Sequence, residues 1–393
     1  MERILSTELA AHAGEDVVLQ GWLHRQRRLA NVSFVVLRDR AGLAQIVLDE
    51  AVELLPETVL EVRGRVQSEP QLELHDATLT VLAEPAAQPP LELHRPEPKE
   101  SLPVRLDLAP LALRHPAVRE RFTVAARAVQ AFRATLDAKG FTEIQTPKLV
   151  GAATEGGSNV FRIDYFGRDA YLAQSPQLYK QAMVGVFERV YEVGPAFRAE
   201  PHDTGRHLSE FTSLDMEMGF VRDHRDVMAV TEEVVLAMLD AVGRPAEGPI
   251  PIVRFEDVRS GDEPDLAPED ERRICAEHGE LVFVEGYPTA KRAFYTHPSP
   301  EPEWSNSFDL LYRGLEIISG SQRLHRYDDY VAALVARGLG PASFEGYLQA
   351  FRYGMPPHGG FALGLPRFVA QVLGIANLRE TTLFPRDRSR LTP

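Results

Sequence analysis

One cysteine, Cys275, stands in 393 residues. That excludes an internal disulfide framework and any cysteine-rich zinc site, and it fits a reducing cytoplasm. A metal ion, if the protein uses one, has to be held by oxygen. No stretch of about eighteen apolar residues occurs, and the opening MERILSTELAAHAGEDVV lacks a long apolar segment, so neither membrane spanning nor secretion is expected. Low-complexity tracts and internal repeats are missing too. So is any glycine-rich loop of the P-loop or dinucleotide-binding kind, which leaves both doubly wound nucleotide folds without their signature.

What is present is the composition of an ordinary globular protein, 44% hydrophobic and 25% charged, in a chain longer than one core usually organises. Two or more domains are expected. The formal net charge of -14 repels polyphosphate at long range. Against that, HRQRR at 24–28, with Arg38, Arg40, Arg63 and Arg65, makes the early chain locally basic. On charge alone this patch reads equally as a solvated face or as a surface for RNA.

Residues 17–82 hold five short alternating segments, VVLQGWLH, SFVVLRDR, LAQIVLDE, VLEVRGRVQ and LELHDATLTVL, punctuated by Gly and Asp. That number and length of strands predicts a small closed barrel of the oligonucleotide-binding (OB) type over residues 1–85. The proline-dense EPAAQPPLELHRPEPKESLP then reads as a linker, with 86–105 as a hinge. From 106 to 393, helical spacing in VRERFTVAARAVQAFRATLDAKGF and DVMAVTEEVVLAMLDAV alternates with strand-like RVYEVGPAF, FTSLDMEMGF and GLEIISGSQRL. The order is not a regular βαβ repeat, so an α+β domain with an antiparallel sheet flanked by helices is expected.

The stretch RAEPHDTGRHLSEFTSLDMEM, 198–218, crowds arginine, histidine and carboxylate beside an alternating run. Alone it would be an exposed β-hairpin with a solvated tip. In order along the chain, however, GFTEIQTPKLV, then VGPAFRAE through FTSLDMEM, then GFALGLPRFV resemble the three motifs of class II aminoacyl-tRNA synthetases. Within that class, LAQSPQLYKQ and the ending NLRETTLFPRDRSRLTP are similar to the aspartyl-tRNA synthetases of compact, archaeal-like type. The resemblance spans essentially the whole chain. It implies an antiparallel catalytic sheet, a homodimer, and ATP-dependent charging of tRNA with L-aspartate, with Mg2+ accompanying ATP and no zinc.

Physical chemistry makes the implied roles intelligible. Joining a carboxylate to the α-phosphate of ATP brings two anions together, and the planar fork of arginine matches both. By the resemblance, Arg198 grips the α-phosphate, Glu200 meets the adenine edge, Arg206 and His207 fold over the outer phosphates, and Phe211 packs on adenine. Arg367 covers the other face of the base or the γ-phosphate. Glu316 matches the metal-binding glutamate, with Ser319 and Asp309 as neighbours. Asp215 and Glu217, two apart on a strand, point to one face. Glu217 is expected near ATP and the metal as a catalytic group beside Arg198 and Arg367, and Asp215 on the substrate's amino group.

Lys180 and Arg323 correspond to the pair that holds aspartate's β-carboxylate, with Ser319 close by, and Glu155 and Gln177 to the residues that orient the α-amino group. Gly156 and Gly157 suggest a loop that closes over the substrate. Asparaginyl relatives carry an acidic residue where this chain has Lys180, which disfavours the asparaginyl alternative. A catalytically silent tRNA-binding paralogue is disfavoured by the retention of Arg198, Glu316 and Arg367, and a free-standing asparagine-forming ligase by the barrel. In the barrel, Phe34 and Gln45 match an aromatic and an amide that stack on and read anticodon bases, beside Arg25. His24, and Pro70 in the following hairpin, match the branch that accepts the tRNAs of both aspartate and asparagine.

Overall fold

The computed structural model describes residues 2–151, 159–201, 204–261 and 263–392. The chain divides into two compact units, Met1–Arg119 and Glu120–Pro393.

The first unit is built on strands Asp16–Arg28 (β1), Ser33–Arg38 (β2), Leu43–Leu48 (β3), Val59–Gln67 (β4) and Glu73–Ala83 (β5), closed in the order β1-β2-β3-β5-β4. Alternation drives closure: Leu60, Val62 and Val66 of β4 join Leu19, Val35, Leu37, Ile46 and Leu74 inside, while intervening residues face out. The 3-10 helix Ser6–His12 adds Leu9 to that core. It is tied down by Ser6, whose backbone N–H and hydroxyl donate to Asp39 at 2.6 and 2.8 Å. The β1–β2 ladder slips between Leu23 and Arg25, a bulge centred on His24. Past the barrel, the proline-dense segment is more structured than a free linker, since Leu91 and Leu93 pack with Ala112, and the helix Leu102–Asp107 follows.

The second unit carries Thr142–Glu143 (β6), Leu149–Val150 (β7), Arg162–Tyr165 (β8), Arg168–Leu172 (β9), Arg189–Phe197 (β10), Glu210–Gly219 (β11), Ile252–Arg254 (β12), Leu281–Glu285 (β13), Ser307–Tyr312 (β14), Leu315–Gln322 (β15) and His358–Gly364 (β16). Eight of these form a sheet in the order β12-β13-β14-β15-β16-β11-β10-β6. Its centre is antiparallel, as expected, but both edge strands, β12 and β6, pair in parallel. A separate three-stranded sheet holds β7, β9 and β8.

One face of the large sheet is apolar. Leu214, Met216 and Met218 of β11 point into it and meet Val124, Ala128, Phe132 and Leu136 of the helix Pro116–Ala138, spaced four apart. The helix His224–Ala241, capped by Asp223, which accepts from the Arg225 backbone at 2.7 Å, adds Val227, Val234 and Met238. Covering that face in this way leaves the alternate residues of β11, Ser213, Asp215 and Glu217, turned to the other side.

Candidate active site

β10 and β11 run antiparallel from Arg189 opposite Met218 to Phe197 opposite Glu210, so Arg198 and Phe211 sit where the hairpin leaves the sheet. Arg198 donates its backbone N–H to the Ser209 carbonyl at 2.9 Å, and its guanidinium lies 5.5 Å from the centre of the Phe211 ring. A cleft opens there. Its walls include Arg198, Glu200, Arg206, His207, Phe211, Glu316, Ser319 and Arg367, eight residues singled out from sequence, together with Ser213, Ala362, Gly364 and Pro366. Arg367 donates to the Glu316 carbonyl at 3.2 Å and lies 3.6 Å from its carboxylate. His207 contacts Glu200 at 3.1 Å. Three guanidinium groups thus converge on one concave surface, an arrangement suited to polyphosphate.

Next to this cleft lies a buried group of four charges. Lys180, on the helix Gln177–Phe187, donates to Asp215 at 2.9 Å and to the Phe361 carbonyl at 2.9 Å, and lies 3.5 Å from Glu217. Arg323 donates to both oxygens of Glu217, at 2.9 and 3.2 Å, to Ser321 at 2.6 Å and to the Gly360 carbonyl at 2.9 Å. Ser213, on the cleft wall, donates to Asp215 at 2.5 Å and links the two regions. Gly360 has to be glycine here, since a Cβ would come within 2.2 Å of the Glu217 carboxylate. Burial pushes the Glu217 carboxyl up, but the charges of Arg323 and Lys180 outweigh it and hold the group below its ordinary range.

Glu217, expected near ATP and the metal, is buried on β11 opposite Gly360 and is held by Arg323 and Lys180. Gln177, the first residue of Lys180's helix, is 5% exposed, and its side-chain amide nitrogen has no hydrogen-bond partner among the described residues. Glu155, with Gly156 and Gly157, lies outside the described residues.

The expected metal donors are only partly available. Asp309 and Ser319 face each other across β14 and β15, and the guanidinium of Arg292 takes both, with two bonds to Asp309 at 2.8 and 3.0 Å and one to Ser319 at 3.0 Å. Among the described residues, no group of three or more His, Cys, Asp or Glu side chains is placed to hold a metal ion. Glu316 remains on the cleft wall, and one carboxylate with phosphate oxygens and water suits magnesium. Its carboxyl is pushed up by burial and then by the Asp309 charge, so a bound cation would be welcome there. Glu271, whose carboxylate accepts the Glu316 backbone N–H at 3.3 Å, is pushed up to about 7 by burial and by Glu316. Neither Arg292 nor Glu271 was found from sequence. Arg292 stands in an aperiodic loop, and Glu271 in the charged helix Pro268–His278 looks like a solvated residue.

In the barrel, Arg25 pairs with Val36, Val36 with Gln45, and Phe34 with Val47, which puts Arg25, Phe34 and Gln45 on one face of β1, β2 and β3. Phe34 and Gln45 are half-buried and Arg25 is exposed. The bulge turns His24 off that face. It is 8% exposed, 3.2 Å from Arg38, which in turn makes two 2.8 Å bonds to Glu57. Pro70 is exposed between β4 and β5.

A closed five-stranded barrel, followed by an antiparallel-centred sheet with an arginine-lined hairpin cleft and a buried cation pair, defines a class II aminoacyl-tRNA synthetase. Residues 101–388 match the family of class II tRNA synthetases for D, K and N, and residues 17–82 match the OB-fold nucleic acid binding domain. The chain belongs to this synthetase family. It is 43% identical to the aspartate-tRNA(Asp/Asn) ligase of Thermus thermophilus, covering 100% of both chains. To the ligase of the same description from Deinococcus radiodurans it is 42% identical, over 100% of this chain and 99% of the relative. Among solved structures, asparaginyl-tRNA synthetase from Pyrococcus horikoshii with asparaginyl-adenylate superposes with a TM-score of 0.92 at 31% identity, over 100% of both chains. Aspartyl-tRNA synthetase from Entamoeba histolytica gives 0.88 at 28%, over 100% of this chain and 93% of that one. No helix among the described residues is long and apolar enough to cross a membrane.

Proposed function

We propose that this chain is an aspartate-tRNA ligase that charges both tRNA(Asp) and tRNA(Asn). The observation that carries the aspartyl reading is the buried pair Lys180 and Arg323 beside a cleft walled by Arg198, Arg206 and Arg367. Two fixed cations suit a β-carboxylate. Both cations also pair with Asp215 and Glu217, so a substrate carboxylate would share them rather than fill an empty place. Relatives described as aspartate-tRNA(Asp/Asn) ligases over their full length support acceptance of both tRNAs.

In the first step the α-carboxylate oxygen of aspartate attacks the α-phosphorus of ATP. The P–O bond to the β-phosphate breaks, pyrophosphate leaves, and aspartyl-adenylate remains. Arg198 and Arg367 hold the phosphates and match the charge that builds on them, while Asp215 and Gln177 orient the amino group. Glu316 would hold magnesium, which would supply further neutralisation of the phosphate charge. In the second step a 3'-terminal ribose hydroxyl of tRNA attacks the acyl carbon, its proton is lost and AMP departs. Positioning and charge do this work without a covalent enzyme intermediate.

Arg25, Phe34 and Gln45 form the anticodon surface by stacking and edge contacts, with His24 and Pro70 as neighbours that leave the asparagine anticodon acceptable. The enzyme works in the cytoplasm as a homodimer whose two-fold interface includes Pro147, between β6 and β7. Charging both purified tRNAs with radiolabelled aspartate tests the proposal. Rates within about tenfold of each other are expected, a barrier difference of about 1.4 kcal/mol. Rejection of tRNA(Asn) would confine the enzyme to tRNA(Asp), and charging with asparagine alone would overturn the aspartyl reading.

A further inference from the structure

Lys180 comes from the helix Gln177–Phe187 and Arg323 from just past β15, yet both rest on β16. The Lys180 ammonium donates to the Phe361 carbonyl and the Arg323 guanidinium to the Gly360 carbonyl, each at 2.9 Å, and the Arg323 backbone N–H donates to the His358 carbonyl at 2.8 Å. The first half of that strand is therefore a platform shared by the two cations. One more contact ties the platform to the helix of Lys180. Gln181, the next residue along, directs its amide nitrogen to Nε2 of His358 at 3.3 Å.

Both side chains are fully buried, and their hydrogen bonds fix one arrangement. Nδ1 of His358 lies 2.9 Å from the Pro356 carbonyl, which can only accept, so Nδ1 carries the proton and Nε2 of the neutral ring is an acceptor. The Gln181 amide nitrogen supplies the matching donor. It also meets the Tyr330 hydroxyl at 3.1 Å, and the amide oxygen accepts from the Tyr347 hydroxyl at 2.6 Å, so both ends of this amide are used. A protonated ring would set two donors face to face. Burial lowers the ring's pKa to about 4, although Glu217 raises it, so the neutral form that this pairing needs is the one present at physiological pH. Phe351 stacks on the ring with centroids 5.9 Å apart.

A carboxylate shared by two cations is sensitive to the distance between them. Sliding the helix along β16 would carry Lys180 with it and leave Arg323 where it is. We propose that Gln181 and His358 are positioning residues of the amino-acid pocket: the bond between them locks the helix of Lys180 onto β16 and so sets the spacing of the two cations that share the substrate's carboxylate. The inference rests on the aspartyl reading above. Neither residue lines the arginine cleft, so the nucleotide's side of the site should not feel their loss.

Aspartate-dependent exchange between pyrophosphate and ATP, measured against each substrate in turn, tests this. Asparagine's amide reaches only the position of Nδ1, so His358→Asn loses the bond to Gln181; KM for aspartate should rise at least about tenfold while KM for ATP and kcat stay within about threefold. His358→Gln puts an amide oxygen near the position of Nε2 and should keep KM for aspartate within about threefold of wild type. Tyr347→Phe deletes only the hydroxyl that holds the Gln181 oxygen and should raise KM for aspartate by about threefold or more. An unchanged KM for aspartate in Tyr347→Phe, which alters no packing volume beyond one oxygen, overturns the proposal, as it does in a folded His358→Asn. Equal rises in both KM values, a fall in kcat alone, or a His358→Gln as impaired as His358→Asn overturn it too, since each marks a loss that is structural only. A wild type without aspartate-dependent exchange overturns the aspartyl reading and takes the proposal with it, whereas an active wild type with insensitive variants overturns the proposal alone.

Discussion

Lys180 is a cation with almost no exposed surface, and its ammonium protons already meet Asp215 and the Phe361 and Met216 carbonyls. Removing such a charge costs more than the contact gains, because Asp215 and Glu217 stay buried with a partner missing. Lys180→Met is expected to lose about 3 kcal/mol in chemical denaturation. The double variant Lys180→Met/Asp215→Asn should recover part of that loss but none of the aspartate-dependent exchange. A single variant as stable as wild type would mean that this pairing does not hold the site together. His24 gives a prediction of a different kind. Burial, and then the charge of Arg38, lower its pKa to about 4, so the ring is neutral at physiological pH. The ratio of tRNA(Asp) to tRNA(Asn) charging should therefore stay flat from about pH 6 to pH 8. A swing centred near 6.5 would show His24 to be solvated and titrating freely.

At the scale of elements, the helix His224–Ala241 is anchored to the sheet by charge at its first turn. Glu285, at the end of β13, lies 2.9 Å from His224 and 2.6 Å from Arg225. Burial raises the Glu285 carboxyl, but the bonds from His224 and Arg225 outweigh it and bring it down to about 2. A carboxylate depressed in the folded state stabilises the fold above its unfolded pKa, about 4.5, and that contribution fades as pH falls towards 2. Arg225 is largely exposed, so screening reduces the effect to about 2 kcal/mol. Glu285→Gln should be less stable than wild type at neutral pH, with the gap closing between about pH 4.5 and 2 in acid denaturation. A gap that persists at pH 2 would assign the loss to packing. Elements of this kind also mark the limit of what the sequence reveals. The strands of the barrel and β10, β11 and β15 were legible because burial on one face forces strict alternation, and the ordered motifs led to eight residues of one cleft. A bulge that turns His24 inward leaves no periodic trace, since it adds one residue to a strand that otherwise alternates. The placement of Glu217 against Arg323 depends on pairing with a strand more than a hundred residues away, and Arg292 reaches Asp309 from a loop without periodicity. Parallel edges such as β6 and β12, two and three residues long, are too short for any pattern.

For the whole molecule, the hydrophobic interior is divided as well as the chain. Among the described residues, the buried core of the barrel runs from Leu9 to Leu74, with Ile4, Ala77 and Leu79 packed against it, and the buried clusters around the large sheet begin at Val124. Every residue lining the arginine cleft, from Arg198 to Leu378, and every member of the buried charge group belongs to the second unit. The groups proposed above for adenylate formation therefore lie in one unit, and Arg25, Phe34 and Gln45, proposed for the anticodon, in the other. A fragment beginning at residue 101, where the match to the synthetase family begins, should retain aspartate-dependent exchange between pyrophosphate and ATP within about tenfold of the full chain. Its aminoacylation should fall far more steeply, because a missing barrel removes the stacking and edge contacts to unpaired anticodon bases, each worth about 1–3 kcal/mol. The two assays share substrates and cleft, so a fragment that folds but loses both equally would show that the barrel supports the adenylation site itself. Retained exchange with lost charging would instead locate tRNA selection in the first unit and chemistry in the second.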